Sequence, residues 1–238
     1  MTRRRWIADE VSGSQAALVG AHADHLIRVL RATLGQEFDI SIGDEVRRGR
    51  IIRISDNRVE FELGERLPAG ALIPITLALS IFKFDRMEWA IEKCTELGVA
   101  RIVPVIARRT EAYLAAAAFK RMERWLRITR QASEQSRRAF PPEIAQPIKL
   151  KEAVALPAAA RILLSETEEE ATLQEALRSH LPGGDVILAL GPEGGWTEAE
   201  LALFHDAGWS SASLGSTILR AETAAIAATA IVLAELGR

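Results

Sequence analysis

The sequence has few of the features that mark secreted, membrane or metal-binding proteins. It contains one cysteine, Cys94, among 238 residues, so no internal disulfide can form. The basic residues at its start are not followed by the apolar run of a signal peptide, and no apolar stretch approaches the ~20 residues that span a bilayer. No cluster of histidines and cysteines has metal-ligand spacing. We therefore expect a cytoplasmic protein with no membrane segment and no metal.

The charges are almost balanced, and the formal net charge of -2 predicts no particular partner. The distribution of the charges is more informative than the net charge, because polyanions are attracted by local patches of positive charge. Arg3–Arg5 and the stretch from Lys120 to Arg138 are basic, and the acidic run Glu166–Glu170 offsets them in the sum. The two basic stretches are candidates for contact with nucleic acid.

The first part of the chain has the pattern of a small β-rich module. Short runs with β-branched residues are separated by Gly43-Asp44 and Asp56-Asn57, which is typical of strands joined by turns. The predicted elements are strands over Glu37–Ile42, Val46–Ile54 and Arg58–Leu63, with one helix over Ala23–Ala32. Leu67-Pro68-Ala69-Gly70 interrupts this pattern and predicts a domain boundary near residue 70.

After the boundary the pattern alternates between strand and helix. Strands are predicted at Ile75–Ile81, Arg101–Ala107, Arg161–Ser165, Val186–Leu190 and Ser211–Leu214, and helices at Asp85–Leu97, Phe119–Arg138, Thr197–Asp206 and Ala221–Leu236. Such alternation predicts an α/β domain with a mainly parallel sheet that helices cover on both faces. Ligands of these sheets bind beyond the carboxyl ends of the strands.

Two glycine-bearing segments follow late strands, Gly191–Trp196 and Gly215–Arg220. Glycine permits positive φ and close approach of the backbone to a ligand. Neither segment matches the fingerprints of phosphate-binding or dinucleotide-binding loops. The pair therefore favours a nucleotide-like ligand without a polyphosphate, although each segment alone is also compatible with an ordinary turn between strand and helix.

Several sequence blocks occur in an order that is characteristic of one protein family. They are Leu190–Gly195, Ser213–Gly215 and Ile218–Ala224 near the end; Lys83, Arg86–Glu88 and Lys93–Val99; Glu134–Arg138 followed by Pro141-Pro142; and His25 with Val29–Arg31. Together they closely resemble the RsmE family of ribosomal RNA uracil-N3 methyltransferases, over almost the whole chain. One position departs from the family pattern, because Thr217 stands where the family often has a basic residue.

The resemblance implies a fold, a methyl donor and partners. The fold would be a PUA-like β-barrel over residues 1–70, followed over residues 71–238 by a SPOUT-type α/β domain with a C-terminal trefoil knot. The protein would be a homodimer that methylates N3 of a uridine in 16S ribosomal RNA with S-adenosylmethionine. The positions carried over as donor-binding are Leu190, Gly191, Glu193, Gly194, Gly195, Leu214, Gly215, Ile218 and Leu219, with Ser165 as a weaker candidate.

The chemistry of this reaction suggests roles for two charged residues. Uracil N3 loses a proton as it attacks the methyl group, and negative charge spreads onto O2 and O4. Arg220, beside the donor loop, is the candidate that stabilises this charge; the alternative is a salt bridge to Glu222. Glu193 could accept the proton, hold the ammonium group of the donor or stabilise a backbone turn. The general base is left open.

Basic residues outside the loops are candidates for RNA contact. Helical periodicity divides the stretch Phe119–Arg138 into an apolar side, with Met122 and Trp125, and an arginine-rich side. That second side could equally be an ordinary solvated surface. The predicted RNA-binding residues are Arg3, Arg4, Arg5, His25, Arg28, Arg31, Lys83, Arg130, Arg137 and Arg138.

Three other functions remain compatible with the sequence. A SPOUT methyltransferase could instead modify transfer RNA or a ribose hydroxyl. An RNA-binding ribosome-assembly factor without catalysis would not bind S-adenosylmethionine. A sugar-binding or NAD-binding α/β protein is disfavoured by the missing dinucleotide fingerprint. The exact nucleotide, and whether naked RNA or an assembled subunit is modified, are also left open.

Overall fold

The computed structural model describes residues 5–69, 73–179 and 184–237. The chain divides into two compact units, which are described separately below. Unit 1 comprises Met1–Ala71 with Ser133–Pro141, and unit 2 comprises Leu72–Ala132 with Pro142–Arg238. The sequence-predicted boundary at residue 70 lies just outside the described residues.

Unit 1 is built on a mixed β-sheet. Its strands are β1 (Arg5–Ile7), β2 (Glu10–Ser12), β3 (Gln15–Val19), β4 (Glu37–Ile42), β5 (Glu45–Ser55) and β6 (Arg58–Leu67). They are ordered β1-β4-β5-β6-β3-β2, and the pairing is antiparallel except between β1 and β4. Val59, Phe61 and Leu63 alternate along β6 and are all buried, as the two-residue period of a strand requires. The predicted strands of this region are therefore confirmed, although β1, β2 and β3 were not predicted.

The helix predicted over Ala23–Ala32 is wrong at its carboxyl end. The structure has a short helix, α1 (Ala21–Asp24), which continues as a π-helical turn over His25–Val29. Arg31 then adopts a left-handed conformation with φ of 51°, and the N–H of Ala32 donates to the carbonyl of Leu26 at 3.1 Å. This reversal of the chain direction ends the helix before Arg31, and apolar periodicity does not reveal it.

Unit 2 contains the parallel sheet that the sequence predicted. Its strands are β7 (Ile73–Ser80), β8 (Val99–Ile106), β9 (Glu143–Ile144), β10 (Ile148–Lys149), β11 (Ala160–Leu164), β12 (Val186–Leu190) and β13 (Ser210–Ala212). The order is β10-β8-β7-β12-β11-β13, with β9 also on β8, and all these pairs are parallel. All five residues of β12 are buried, which agrees with a central strand covered on both faces.

Helices pack on both faces of this sheet. They are α2 (Phe84–Leu97), α3 (Ala112–Gln135), α4 (Leu150–Val154), α5 (Leu173–Arg178), α6 (Glu198–Asp206) and α7 (Ala221–Glu235). Leu77 and Leu79 of β7 join a core with α2, α3, α5 and α7, whereas Ala78 joins a second core with α4 and α6. Within the described residues, no helix is both long enough and apolar enough to cross a bilayer.

The helix boundaries differ from the predictions mainly at α3. It begins at Ala112 rather than Phe119 and ends at Gln135 rather than Arg138. The alanines before Phe119 favour helix, and Arg137 adopts a positive φ of 59° that ends it. Two predicted ends are confirmed: Gly98 follows α2 with φ of 104°, and Thr197 with Glu200 forms a capping box at α6. The short helices α4 and α5 were not predicted.

Candidate active site

The two glycine-bearing segments meet beside one cavity in unit 2. The first follows β12 and leads into α6, and the second follows β13 and leads into α7. Because β11, β12 and β13 run parallel, their carboxyl ends lie at the same edge of the sheet. The cavity at this edge has a volume of about 290 Å³, near the lower end of the ~300–1,000 Å³ typical of small-molecule sites. The sequence thus located the edge of the sheet at which a pocket occurs.

The segment Gly191–Trp196, called the donor loop below, is folded back on itself. The N–H of Gly195 donates to the carbonyl of Pro192 at 2.8 Å, and Gly195 has φ of 69°. The indole N–H of Trp196 donates to the carbonyl of Leu164 at 3.0 Å. A Cβ on Gly191 would lie 3.3 Å from the Trp196 ring. The loop therefore needs glycine for its turn at Gly195 and for the packing of Trp196 against Gly191.

The second segment is more open. Gly215 has φ of 115°, and a Cβ there would meet nothing within 4 Å. Conformation rather than space therefore explains this glycine. Ile218 is 85% exposed although it lines the cavity. An apolar side chain in this position would gain buried area from a ligand that enters the pocket.

An arginine from α2 links the donor loop to α7 through two ion pairs. Arg86 Nη1 lies 2.9 Å from Glu193 Oε1 in the donor loop, and Arg86 Nε lies 3.8 Å from Glu222 Oε1 in the first turn of α7. Glu222 is buried, and its Oε2 has no hydrogen-bond partner. A buried carboxylate is costly without a compensating charge, so Arg86 stabilises the junction of α2, the donor loop and α7.

Arg220 lies at the amino end of α7 and lines the cavity, with its side chain exposed. The alternative prediction of a salt bridge between Arg220 and Glu222 is not observed in the described part of the chain, where Glu222 faces Arg86 instead. Arg220 is therefore available to a ligand in the pocket. Glu193, by contrast, already has a cationic partner in Arg86.

Most of the sequence-predicted donor-binding residues lie on the cavity wall. The predicted residues on the wall are Ser165, Leu190, Gly191, Glu193, Leu214, Gly215, Ile218 and Leu219, together with Arg220. Gly194 and Gly195 are not on the wall but shape the donor loop. Thr217, the residue that departs from the family pattern, also lines the cavity. The roles of these residues stay predictions.

Two charged residues of the wall were not selected from the sequence. Arg86 belongs to a block that supported the family resemblance, yet nothing local marks it as a partner of Glu193, 107 residues away. Glu166 follows Ser165 at the end of β11 and lines the cavity. Its carboxylate occupies the space that a side chain on Gly195 would need. An acidic residue directly after a strand end was the only available signal for it.

The predicted RNA-binding residues near the start of unit 1 have different surroundings where the structure describes them. Arg3 and Arg4 are outside the described residues. Arg5 donates from Nη1 to the carbonyl of Arg137 at 3.0 Å, and the His25 ring lies 5.7 Å from that of Trp6. Arg28 lies 3.3 Å from Asp24, and Arg31 is exposed.

Arg137 and Arg138 are not on a helical face, because α3 ends at Gln135. That part of the prediction is wrong, and the left-handed conformation of Arg137 is the reason. Arg137 is exposed, whereas Arg138 is half-buried. Burial lowers the pKa of Arg138 to about 10, since desolvation disfavours the charged form.

In unit 2 the two sides of α3 are as the periodicity predicted. Met122, Trp125, Thr129 and Ala132 are buried. On the other side Arg124 donates to Glu88 at 2.7 Å, and Arg130 is half-buried. Lys83, just before α2, is exposed. The arginine-rich side is therefore partly neutralised by α2.

The described residues contain no group of three or more His, Cys, Asp or Glu side chains that could hold a metal ion. The charged groups of the pocket are instead two arginines, Arg86 and Arg220, and two carboxylates, Glu166 and Glu193. With backbone from glycines and several leucines, this wall suits a ligand that is partly apolar and partly charged.

Comparisons with known proteins identify the family of this chain. The RNA methyltransferase domain family matches residues 70–233. Ribosomal RNA small subunit methyltransferase E from Synechocystis sp. is 33% identical over 237 residues, covering 96% of this chain and 76% of that protein. The protein of the same name from Rickettsia conorii is 33% identical over 92% of this chain and 89% of its own length.

A solved structure is similar over nearly the whole chain. It is ribosomal RNA small subunit methyltransferase E from Neisseria gonorrhoeae bound to S-adenosyl methionine, with a TM-score of 0.84 and 30% identity over 98% of each chain. Sequence and fold therefore agree over both units, and the chain belongs to the ribosomal RNA small subunit methyltransferase E family.

Proposed function

We propose that this chain is an S-adenosylmethionine-dependent methyltransferase of 16S ribosomal RNA, and that it methylates N3 of a uridine. The observation that carries the proposal is that the donor loop and the segment before α7 line the same cavity, together with Arg220. Membership of the family supports the donor and the RNA substrate. We choose uridine N3 as the acceptor because the sequence blocks resemble those of uracil-N3 methyltransferases.

The cavity wall fits the donor chemically. Leu164, Leu190 and Leu214 offer apolar surface to an adenine ring, and the backbone of Gly191 and Gly215 is accessible for polar edges. We assign the predicted donor-binding residues of the wall, including Ser165, to contact with the donor, and Gly194 and Gly195 to shaping the loop that holds it. Glu166 and Arg86 add charge near the amino-acid tail or the ribose.

Arg220 is proposed to stabilise the negative charge that develops on the uracil oxygens. The bound donor supplies an activated methyl group, so the protein must orient the base and favour its deprotonated form. A guanidinium carries a permanent charge and a fork of donors suited to an oxygen. Arg220 has both the exposure and the position for this role.

We propose that Glu193 stabilises the donor loop and does not act as a general base. Three roles were predicted for Glu193, and its ion pair with Arg86 supports this one. The turn itself is closed by the backbone bond between Gly195 and Pro192. Proton removal from N3 is then left to water or to another group.

RNA binding is proposed for basic residues of both units. In unit 1 these are Arg5, His25, Arg28, Arg31, Arg137 and Arg138, and in unit 2 they are Lys83 and Arg130. Arg3 and Arg4 extend the same basic stretch. Contacts of this kind bind phosphates, so affinity should fall as salt rises. Because N3 lies on the pairing edge of uracil, the target base must be unpaired or extruded from a helix.

The finer points of architecture also remain proposals. We propose that residues 1–70 form a PUA-like barrel for RNA binding and that residues 71–238 form a SPOUT domain whose C-terminal segment is knotted. The mixed sheet of unit 1 and the position of β12 between β7 and β11 support this. Like the family resemblance, the many small residues of α7 favour a homodimer. We propose that the protein acts in the cytoplasm during ribosome biogenesis.

The direct test of the acceptor is to map methylation in 16S ribosomal RNA from cells that lack the protein. We expect the loss of one methyl group from a uridine base, detected by mass spectrometry of nuclease fragments. Re-expression of the wild-type chain should restore it. An unchanged methylation map would contradict the proposal. Loss of a ribose methyl group would be consistent with S-adenosylmethionine as the donor but would contradict uridine N3 as the acceptor.

The role of Arg220 is tested by Arg220→Ala. We expect turnover to fall by about 100-fold or more, the scale of removing one oxyanion-stabilising donor, with little change in donor affinity. Donor affinity is measured by calorimetry and turnover by methyl transfer to 16S RNA. Equal losses of affinity and turnover would show that Arg220 shapes the pocket rather than stabilising charge.

A further inference from the structure

A short strap between β8 and α3 lies against the donor loop. It consists of residues 107–110, and Thr110 fixes it in place. Thr110 Oγ1 accepts from the N–H of Ala107 at 3.1 Å and donates to the carbonyl of Ile81 at 3.2 Å. The strap is therefore attached to the chain just after β7, and the positions of Arg108 and Arg109 are defined by it.

Arg109 binds the donor loop through its backbone. Its Nη1 donates to the carbonyl of Gly194 at 2.5 Å and to the carbonyl of Trp196 at 3.2 Å. The aliphatic part of the same side chain packs on Gly194, where a Cβ would lie 3.3 Å from Arg109 Cδ. One guanidinium nitrogen therefore joins the two residues on either side of Gly195.

Other residues of the same loop line the cavity. Gly191, Pro192 and Glu193 line it, whereas Arg109 does not. Arg109 thus contacts the donor loop at residues that do not line the cavity. Gly195, between the two bound carbonyls, has a positive φ, which is only one of the conformations open to a glycine in a free chain.

We infer that Arg109 is a positioning residue for the methyl donor, acting by holding the donor loop in its binding conformation before the donor arrives. Preorganisation of a loop improves affinity because less ordering is required on binding. The inference rests on the proposed function, since it takes the cavity to be the donor site. It concerns the ground-state shape of the pocket and assigns Arg109 no contact with RNA or with the transferred methyl group.

The side chain of Arg108 provides a matched control. Arg108 is exposed, and its contact with the rest of unit 2 is made by its backbone N–H, which donates to Glu200 Oε1 at 2.7 Å. Arg108→Ala therefore removes one positive charge from the same strap and keeps that hydrogen bond. Any effect of Arg109→Ala that Arg108→Ala lacks is not due to net charge.

The experiment measures binding of S-adenosylhomocysteine, the unreactive product, to the full chain by calorimetry. We expect Arg109→Ala to raise the Kd about tenfold, because the loop loses both hydrogen bonds from the guanidinium. Arg109→Lys should give an intermediate Kd, because an ammonium keeps the positive charge but ends a shorter side chain and is placed differently from Nη1. Arg108→Ala should stay within about twofold of wild type.

Kinetics and unfolding distinguish positioning from a merely structural role. Positioning predicts a higher KM for the donor, with kcat at saturating donor and KM for RNA close to wild type, and a ligand-free melting temperature close to that of Arg108→Ala. A lowered melting temperature with a wild-type Kd at a temperature where the protein is folded would overturn the inference. So would equal Kd values for wild type and Arg109→Ala. Failure of the wild-type chain itself to bind would instead overturn the proposed function, and the inference with it.

Discussion

At the scale of single residues, the sequence indicated the glycines of the loops but not the arginines that contact the donor loop. The sequence indicated that glycines of both segments can adopt positive φ; Gly195 and Gly215 do, whereas Gly191 and Gly194 do not. Arg86 and Arg109 were not predicted as loop contacts, because their partners lie 107 and 85 residues away in the chain. Spacing identifies what a residue can do by itself, but a contact with a distant residue depends on how the strands are ordered.

Gly195→Ala should weaken donor binding through a steric clash in addition to the strain of a positive φ. A non-glycine residue at positive φ costs roughly 1–2 kcal/mol, and here the new Cβ would also displace the Glu166 carboxylate. Gly13→Ala is the control, since Gly13 has φ of 56° and open space around it. We expect both variants to lower the melting temperature and only Gly195→Ala to weaken donor binding. Equal donor affinity in the two variants would contradict this account.

At the scale of helices and strands, local signals determined most of the elements. The capping box Thr197–Glu200 was recognised and is present. The same pattern at Thr172 and Glu175 begins α5 but was not recognised, since the helix after it is short. The seven residues added at the start of α3, Ala112–Ala118, follow from alanine propensity once the strap before them is fixed.

The two capping boxes should differ in energy because Glu200 has a further hydrogen bond. Glu200 is buried and also accepts from the N–H of Arg108, whereas Glu175 is exposed. Thr197→Ala should lower the free energy of unfolding by about 1 kcal/mol. Glu200→Ala should lower it by about 2–3 kcal/mol, because the N–H of Arg108 loses its acceptor. Glu175→Ala should have a smaller effect than Glu200→Ala.

Urea denaturation of these variants provides the measurement. Thr172→Ala is the matched control for Thr197→Ala, because each removes only the hydroxyl of a capping box. Indistinguishable unfolding free energies for Glu200→Ala and Thr197→Ala would show that the bond to Arg108 contributes nothing.

At the scale of the whole molecule, the cores depend on packing between elements distant in the sequence. Cys94 of α2 is fully buried, and Thr229 of α7 lies 3.7 Å from its sulfur. Burial raises the pKa of the Cys94 thiol to about 12, so at pH 8 it stays protonated and unreactive in the folded chain. As the sole cysteine of the chain, it is a natural probe of unfolding.

Labelling of Cys94 with a thiol reagent at pH 8 should therefore require opening of the α2–α7 packing. Donor at 100 times its Kd should slow labelling by about 100-fold, because binding stabilises the native state by ~2.7 kcal/mol. A chain with Cys94→Ala and Thr33→Cys, which has an exposed thiol instead, should label fast with or without donor. Fast, donor-independent labelling of wild type would show that α2 is not packed as described.

The sequence by itself determined the α/β pattern of the second part of the chain, the glycine that ends α2, the buried side of α3 and the start of α6. These depend on residues within about one or two turns of each other, so periodicity and propensity suffice. Only the tertiary structure decided that β12 lies between β7 and β11 and that Arg86, Glu193 and Glu222 meet. Strand order and buried ion pairs join segments far apart in the chain, and no local pattern encodes which of the possible partners will be adjacent.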